Sequence, residues 1–145
     1  MADELQDSAA DTRSKFKTSS EGGQAHFAPQ AAQNEPVPGG FKSAPLAHIV
    51  FFTLAESSEA NRSKLVEGCK KYLDGHEGTL YFGVGVNAPQ YAREVNDRDY
   101  DVALHLVFET ARHQDAYQTH PRHMKFVEEC KRLWKKVRVF DSTLK

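Results

Sequence analysis

Cysteine is scarce: two residues, Cys69 and Cys130, in 145. That count leaves no disulfide framework to hold a small secreted fold together, so both thiols are expected reduced and buried on the apolar stripes of helices. Long apolar runs are missing as well, and nothing approaches the twenty or so residues that a membrane-crossing helix requires. An excess of either charge is also lacking. Nineteen basic and twenty acidic residues leave a net charge of −1, which provides no field for nucleic acid or for an anionic membrane surface. The opening residues Met1 to Asp7 carry neither a basic cluster nor an apolar stretch, so no export signal is read and a cytoplasmic location is expected.

Sustained periodicity is absent from residues 1 to 44. They are rich in Ala, Ser, Gln, Gly, Pro and charge, with Phe16, Phe27 and Phe41 isolated among them. Such a segment buries too little apolar area to offset its ordering entropy and reads as a tail, ending in the Pro36 to Gly40 linker. One domain, residues 45–145, remains.

Within it the most informative run is Asp115 to Val127. Pro121 lacks a backbone N–H and pushes His120 out of the helical region, so one helix finishes by Thr119 and the next starts at the proline. From there His123, Phe126, Val127, Cys130 and Trp134 share one helical stripe, and the second helix is expected to run to about Trp134. Tyr117 precedes the corner, which gives a phenol and two imidazoles within seven residues.

Leu46–Leu54 is apolar on both parities and reads as a strand covered on both faces. Ser57 and Ser58 are N-cap candidates for a helix whose stripe is Leu65, Gly68, Cys69, Tyr72 and Leu73, ending at Asp74-Gly75. Thr79 to Val86 alternates, with Leu80, Phe82, Val84 and Val86 on one side and Tyr81, Gly83 and Gly85 on the other. Gly83 to Ala88 superficially matches a dinucleotide fingerprint, but Pro89 follows where a helix is required. Tyr100 to Phe108 is a third strand, Thr110 caps the first helix of the corner, and Val137 to Leu144 is a fourth strand.

This order predicts an α+β, ferredoxin-like βαββαβ unit: a four-stranded antiparallel sheet with helices on one face. The other face would carry Ile49, Phe51, Tyr81, Val107 and Phe140, more apolar surface than a monomer leaves bare, so a homodimer through that face is expected. Three histidines, His48, His120 and His123, are candidate metal ligands, but neither the cysteine spacing nor a His-Glu-x-x-His pattern supports a site, and no metal or cofactor is implied.

The chain resembles the stress-responsive dimeric α+β barrel family, the Dabb domains, over about residues 45–145. The resemblance rests on Ala47 to Val50, Tyr100-Asp101, Tyr117 to Phe126 around His120-Pro121, and Leu133-Trp134 leading to Val137 to Asp141. It implies a dimeric α+β barrel. The plant polyketide-cyclase branch, typified by olivetolic acid cyclase, is a more distant likeness and implies roles for Tyr117 and His123 in an aldol cyclisation, with His48 also in the pocket. Val102 stands where that branch has a third-strand histidine, and Cys69 and Lys70 replace helix residues that line its pocket.

The expected function is a homodimer that binds a small apolar or aromatic ligand between sheet and helices. His48, Val50, Phe52, Leu65, Cys69, Leu104, His120, Phe126 and Trp134 would line that site. The alternative is a cyclase or lyase in which His123 removes a proton α to a carbonyl while Tyr117 donates a hydrogen bond to the enolate.

Overall fold

A computed structural model describes residues 43–145, and the tail assigned to residues 1–44 lies almost wholly outside them. Seven elements follow in order: β1 (Leu46–Leu54), α1 (Glu59–Leu73), β2 (Thr79–Val86), β3 (Val102–Phe108), α2 (Ala111–Thr119), α3 (Pro121–Cys130) and β4 (Trp134–Thr143). The strands form one antiparallel sheet in the order β2-β3-β1-β4. This is the βαββαβ arrangement expected from the sequence.

Local chemistry sets the helix ends. The Ser58 side chain accepts from the Asn61 N–H at the start of α1, and the Thr110 hydroxyl accepts from the His113 N–H at the start of α2. These are the orphan donors that a polar cap satisfies. At the corner His120 has φ −66 and ψ 138, as a residue before proline should, and its Nδ1 accepts from the Arg122 N–H. Arg122 in turn donates to the carbonyls of Asp74 and Lys71, at 2.7 and 3.3 Å, and so ties the start of α3 to the end of α1. None of the described helices is long and apolar enough to cross a membrane.

The helices cover one face of the sheet. Val50, Phe52 and Leu54 from β1, Leu65, Cys69 and Leu73 from α1, and Leu104, Leu106 and Phe108 from β3 close the core with Tyr117, Phe126, Cys130 and Trp134. On the outer face Ile49, Phe51 and Val107 are half-buried and Tyr81 and Phe140 exposed, as their parity in the sequence required.

Four details differ from the sequence reading. Helix α3 ends at Cys130, four residues before Trp134, because the chain turns there; Trp134 opens β4 instead, opposite Leu54 beside a register shift. Its indole still reaches the core, 5.1 Å from Phe52 and 5.7 Å from Phe126 between ring centres. Strand β4 therefore starts three residues earlier than expected. Strand β3 starts at Val102, two residues late, because the Asp101 side chain turns inward to accept from the Leu54 N–H at 2.8 Å and from the Ser57 hydroxyl. Leu80 sits in a β-bulge, with Thr79 opposite Phe108 and Tyr81 opposite Val107, and it is exposed instead of joining Phe82 and Val84.

Candidate functional site

Tyr117 is the hub. It projects from the last turn of α2, is 2% exposed, and is ringed by three imidazoles and Phe108. Ring centres lie 4.8 Å away for His123, 5.0 Å for His76, 5.8 Å for His48 and 5.1 Å for Phe108. His120 touches the cluster only through His76, 4.7 Å away, and is itself exposed at the corner. Each imidazole arrives from a different element: His48 from β1, His76 from the turn after α1, His120 from the cap and His123 from α3.

Their hydrogen bonds differ, and so does their chemistry. His48 Nδ1 lies 2.6 Å from Asp141 Oδ1 across the β1–β4 ladder, which fixes the ring with its other nitrogen directed away from the carboxylate. His76 Nε2 lies 2.8 Å from the Tyr72 carbonyl and donates to it, leaving Nδ1 without a proton when the ring is neutral. Burial holds His76 below the usual imidazole range, and Arg122 and His120 nearby act the same way. His123 is the outlier. Its Nδ1 is buried and has no hydrogen-bond partner among the described residues. Burial, then the His48 and His76 rings, pull its pKa down to about 4, against a weaker opposing influence of the Gln118 backbone. The phenol of Tyr117 moves the other way: burial pushes it far above its ordinary value, so it stays protonated.

Of the residues anticipated for the site, Tyr117, His123 and His48 come together. Val50, Phe52, Leu65, Cys69, Leu104, Phe126 and Trp134 lie in the adjoining core, packed on one another. The Cys69 and Cys130 thiols are free, and burial raises both above the usual thiol range. Hollows of about 270 and 290 Å³ open elsewhere on the described surface; neither borders Tyr117 or His123, though the second borders His76. No group of three or more His, Cys, Asp or Glu side chains among the described residues is arranged to hold a metal ion.

Two members of the cluster escaped the sequence reading. His76 follows Gly75 as a single residue beyond a helix end, where no periodicity marks it. Asp141 could be found only through its partner, 93 residues away along the chain.

The sheet order, the single helical layer and the cross-strand register define a ferredoxin-like α+β domain with a tyrosine and histidine cluster under its helix corner. Residues 46–144 match the family model described as the Stress responsive A/B Barrel Domain, Dabb, and the chain belongs to that family. Solved structures share the fold. A Dabb family protein from Mesorhizobium loti is 21% identical with a TM-score of 0.59, over 71% of this chain and 99% of its own. A dimeric ferredoxin-like protein of unknown function from Thermobifida fusca is 15% identical, TM-score 0.58, over 72% and 95%. The hydroxynitrile lyase from Passiflora edulis is 15% identical, TM-score 0.57, over 70% and 94%. At such identities the likeness is one of fold. No curated protein matches the chain.

Proposed function

We propose that the protein is a homodimer that binds a small apolar or aromatic molecule carrying a hydroxyl or carbonyl group, with its polar end on Tyr117 and His123. The observation that carries this reading is the buried, unpartnered Nδ1 of His123 beside a protonated phenol. Leaving a buried polar atom unmatched costs about 1–3 kcal/mol, and an occupant that matched it would recover that cost. His48 would stand on the opposite side of Tyr117, held by Asp141. The apolar body would lie against Val50, Phe52, Leu65, Cys69, Leu104, Phe126 and Trp134, with His120 at the rim. Since those side chains close on one another, admission requires the α2–α3 corner to lift from the sheet. Dimerisation would use the outer face, where Ile49, Phe51, Tyr81, Val107 and Phe140 supply apolar surface; relatives described as dimeric support it.

A thermal-shift screen of phenols and polyketide-like aromatics tests the binding reading. A ligand at a hundred times its Kd stabilises the fold by about 2.7 kcal/mol, which is easily read as a rise in Tm. The rise should fall sharply in His123→Ala and Tyr117→Phe, with no product formed. A wild type that no compound shifts, or shifts that survive both substitutions, would overturn it.

The second reading is a cyclase or lyase with His123 as base and Tyr117 as hydrogen-bond donor, the roles that the polyketide-cyclase likeness implies. It is favoured by the contact between a neutral imidazole and a protonated phenol. A base whose pKa burial holds down to about 4 is free of its proton at pH 7 but accepts one only weakly, whereas a general base works best with a pKa near the working pH. That is why binding is placed first. Turnover abolished by His123→Ala would reverse the order.

A further inference from the structure

The outer sheet face has an ionisable side chain at its centre. His105 lies on β3 between Ile49 of β1 and Gly83 of β2, and Phe140 of β4 continues the same row beyond Ile49. Its ring is exposed and stands nearly edge-on to Phe51, 6.4 Å between centres. Ala103 and Val107 flank it along the strand. Gly83 supplies no side chain, and the Tyr81 ring folds across the space: a Cβ at Gly83 would lie 2.7 Å from the Tyr81 hydroxyl. An imidazole is thus set among a glycine, aliphatic side chains and aromatic rings.

The charges around it sit at the margin. β1 contributes none at the positions facing His105, and β2 contributes only the Tyr81 phenol. From β4 come Arg138, paired with Asp97 at 2.7 Å, and Lys136, paired with Asp99 at 3.0 Å. Arg138 lies over the far side of Phe51, and Tyr100 packs on that same ring. No carboxylate occupies the strand positions that surround His105.

We propose that His105 makes the association of two copies through this face proton-sensitive: the dimer forms with both imidazoles neutral and separates as they gain protons. The inference rests on the sheet-face homodimer proposed above. In the free chain His105 is open to water. Against an identical apolar face it would have to hold a charge without water or counter-ion, which disfavours the charged form. A two-fold interface places two such rings in each dimer. With two protons excluded, Kd climbs by up to about 100-fold per pH unit once free imidazoles protonate.

The test is sedimentation velocity or light scattering across a concentration series at pH 8.0 and pH 5.5, with circular dichroism to show that the chain stays folded. Wild type, His105→Phe and His105→Gln are compared, since neither replacement can titrate. The expected result is a dimer at pH 8.0 for all three, with Kd rising at least about 30-fold at pH 5.5 for wild type and less than about threefold for both variants. Equal pH dependence in wild type and variants overturns the inference and leaves the sheet-face dimer standing. A wild type that is monomeric at pH 8.0 overturns both.

Discussion

Removal of the Asp101 carboxylate is the sharpest test of how this fold holds its first strand and first helix together. Asp101 accepts from the Leu54 N–H at the end of β1 and from Ser57 just ahead of α1, with Arg62 of that helix 3.6 Å away. Its side chain is 12% exposed and Leu54 only 2%. In Asp101→Ala the Leu54 N–H loses its partner where water cannot replace it, at about 1–3 kcal/mol. Losing the Ser57 contact adds up to about 1 kcal/mol, while the exposed Arg62 pair adds little. The expected loss is about 2–4 kcal/mol, or roughly 10–20 °C in Tm for a domain of this size. Asp101→Asn keeps an acceptor for the Leu54 N–H and should lose about 1 kcal/mol.

The pH dependence follows with a definite sign. Burial alone would raise the Asp101 pKa, but the hydrogen bonds from Ser57 and Leu54 and the nearby Arg62 outweigh it and lower the folded-state value. Its stabilisation is therefore present above the unfolded carboxylate pKa, about 3.9, and disappears as the pH falls through the folded value. In urea titrations the gap between wild type and Asp101→Asn should be constant above about pH 5 and shrink below about pH 4. An Asp101→Ala variant within about 0.5 kcal/mol of wild type would refute the reasoning.

Two further predictions concern steric fit. Gly78 and Gly75 both have positive φ, 76 and 72, but an added Cβ at Gly78 would lie 2.1 Å from the His113 ring while one at Gly75 meets nothing within 4 Å. Urea melts of Gly75→Ala should therefore show a loss of about 1 kcal/mol from backbone strain alone, whereas Gly78→Ala should lose about 2–4 kcal/mol; equal losses would refute the clash. Phe126→Ala removes a ring stacked on Trp134 and close to Phe52, and chemical denaturation should show it losing about 3–5 kcal/mol.

Elements whose cause is local were readable from the chain. Pro121 dictates its corner by its own stereochemistry, Ser58 and Thr110 act on donors three residues away, and the outward set from Ile49 to Phe140 follows from alternation along each strand. Where the cause is distant, reading failed. Trp134 fits the α3 stripe by spacing, yet the chain turns after Cys130 and delivers the indole to the same core region from a strand. Alternation back along β3 from Val107 and Ala103 would set Asp101 on the outer face, but the Leu54 N–H, 47 positions away, draws its carboxylate inward. The cluster was half legible: Tyr117 and His123 share one short segment, while His76 and Asp141 join it only through the tertiary fold.

The two faces of the sheet resolve one requirement in opposite ways. Both place histidine among apolar side chains, where the charged form is disfavoured unless an anion accompanies it. On the helix side the fold meets this individually. Asp141 partners His48, the Tyr72 carbonyl accepts from His76, and His123 keeps a neutral ring with an unmatched nitrogen. That nitrogen is where a ligand would contribute what the chain withholds. On the outer side the fold supplies neither carboxylate nor carbonyl to His105, whose ring stands open to water. Under the two proposals, the unmatched nitrogen of His123 would answer to a small molecule and the His105 ring to a second copy.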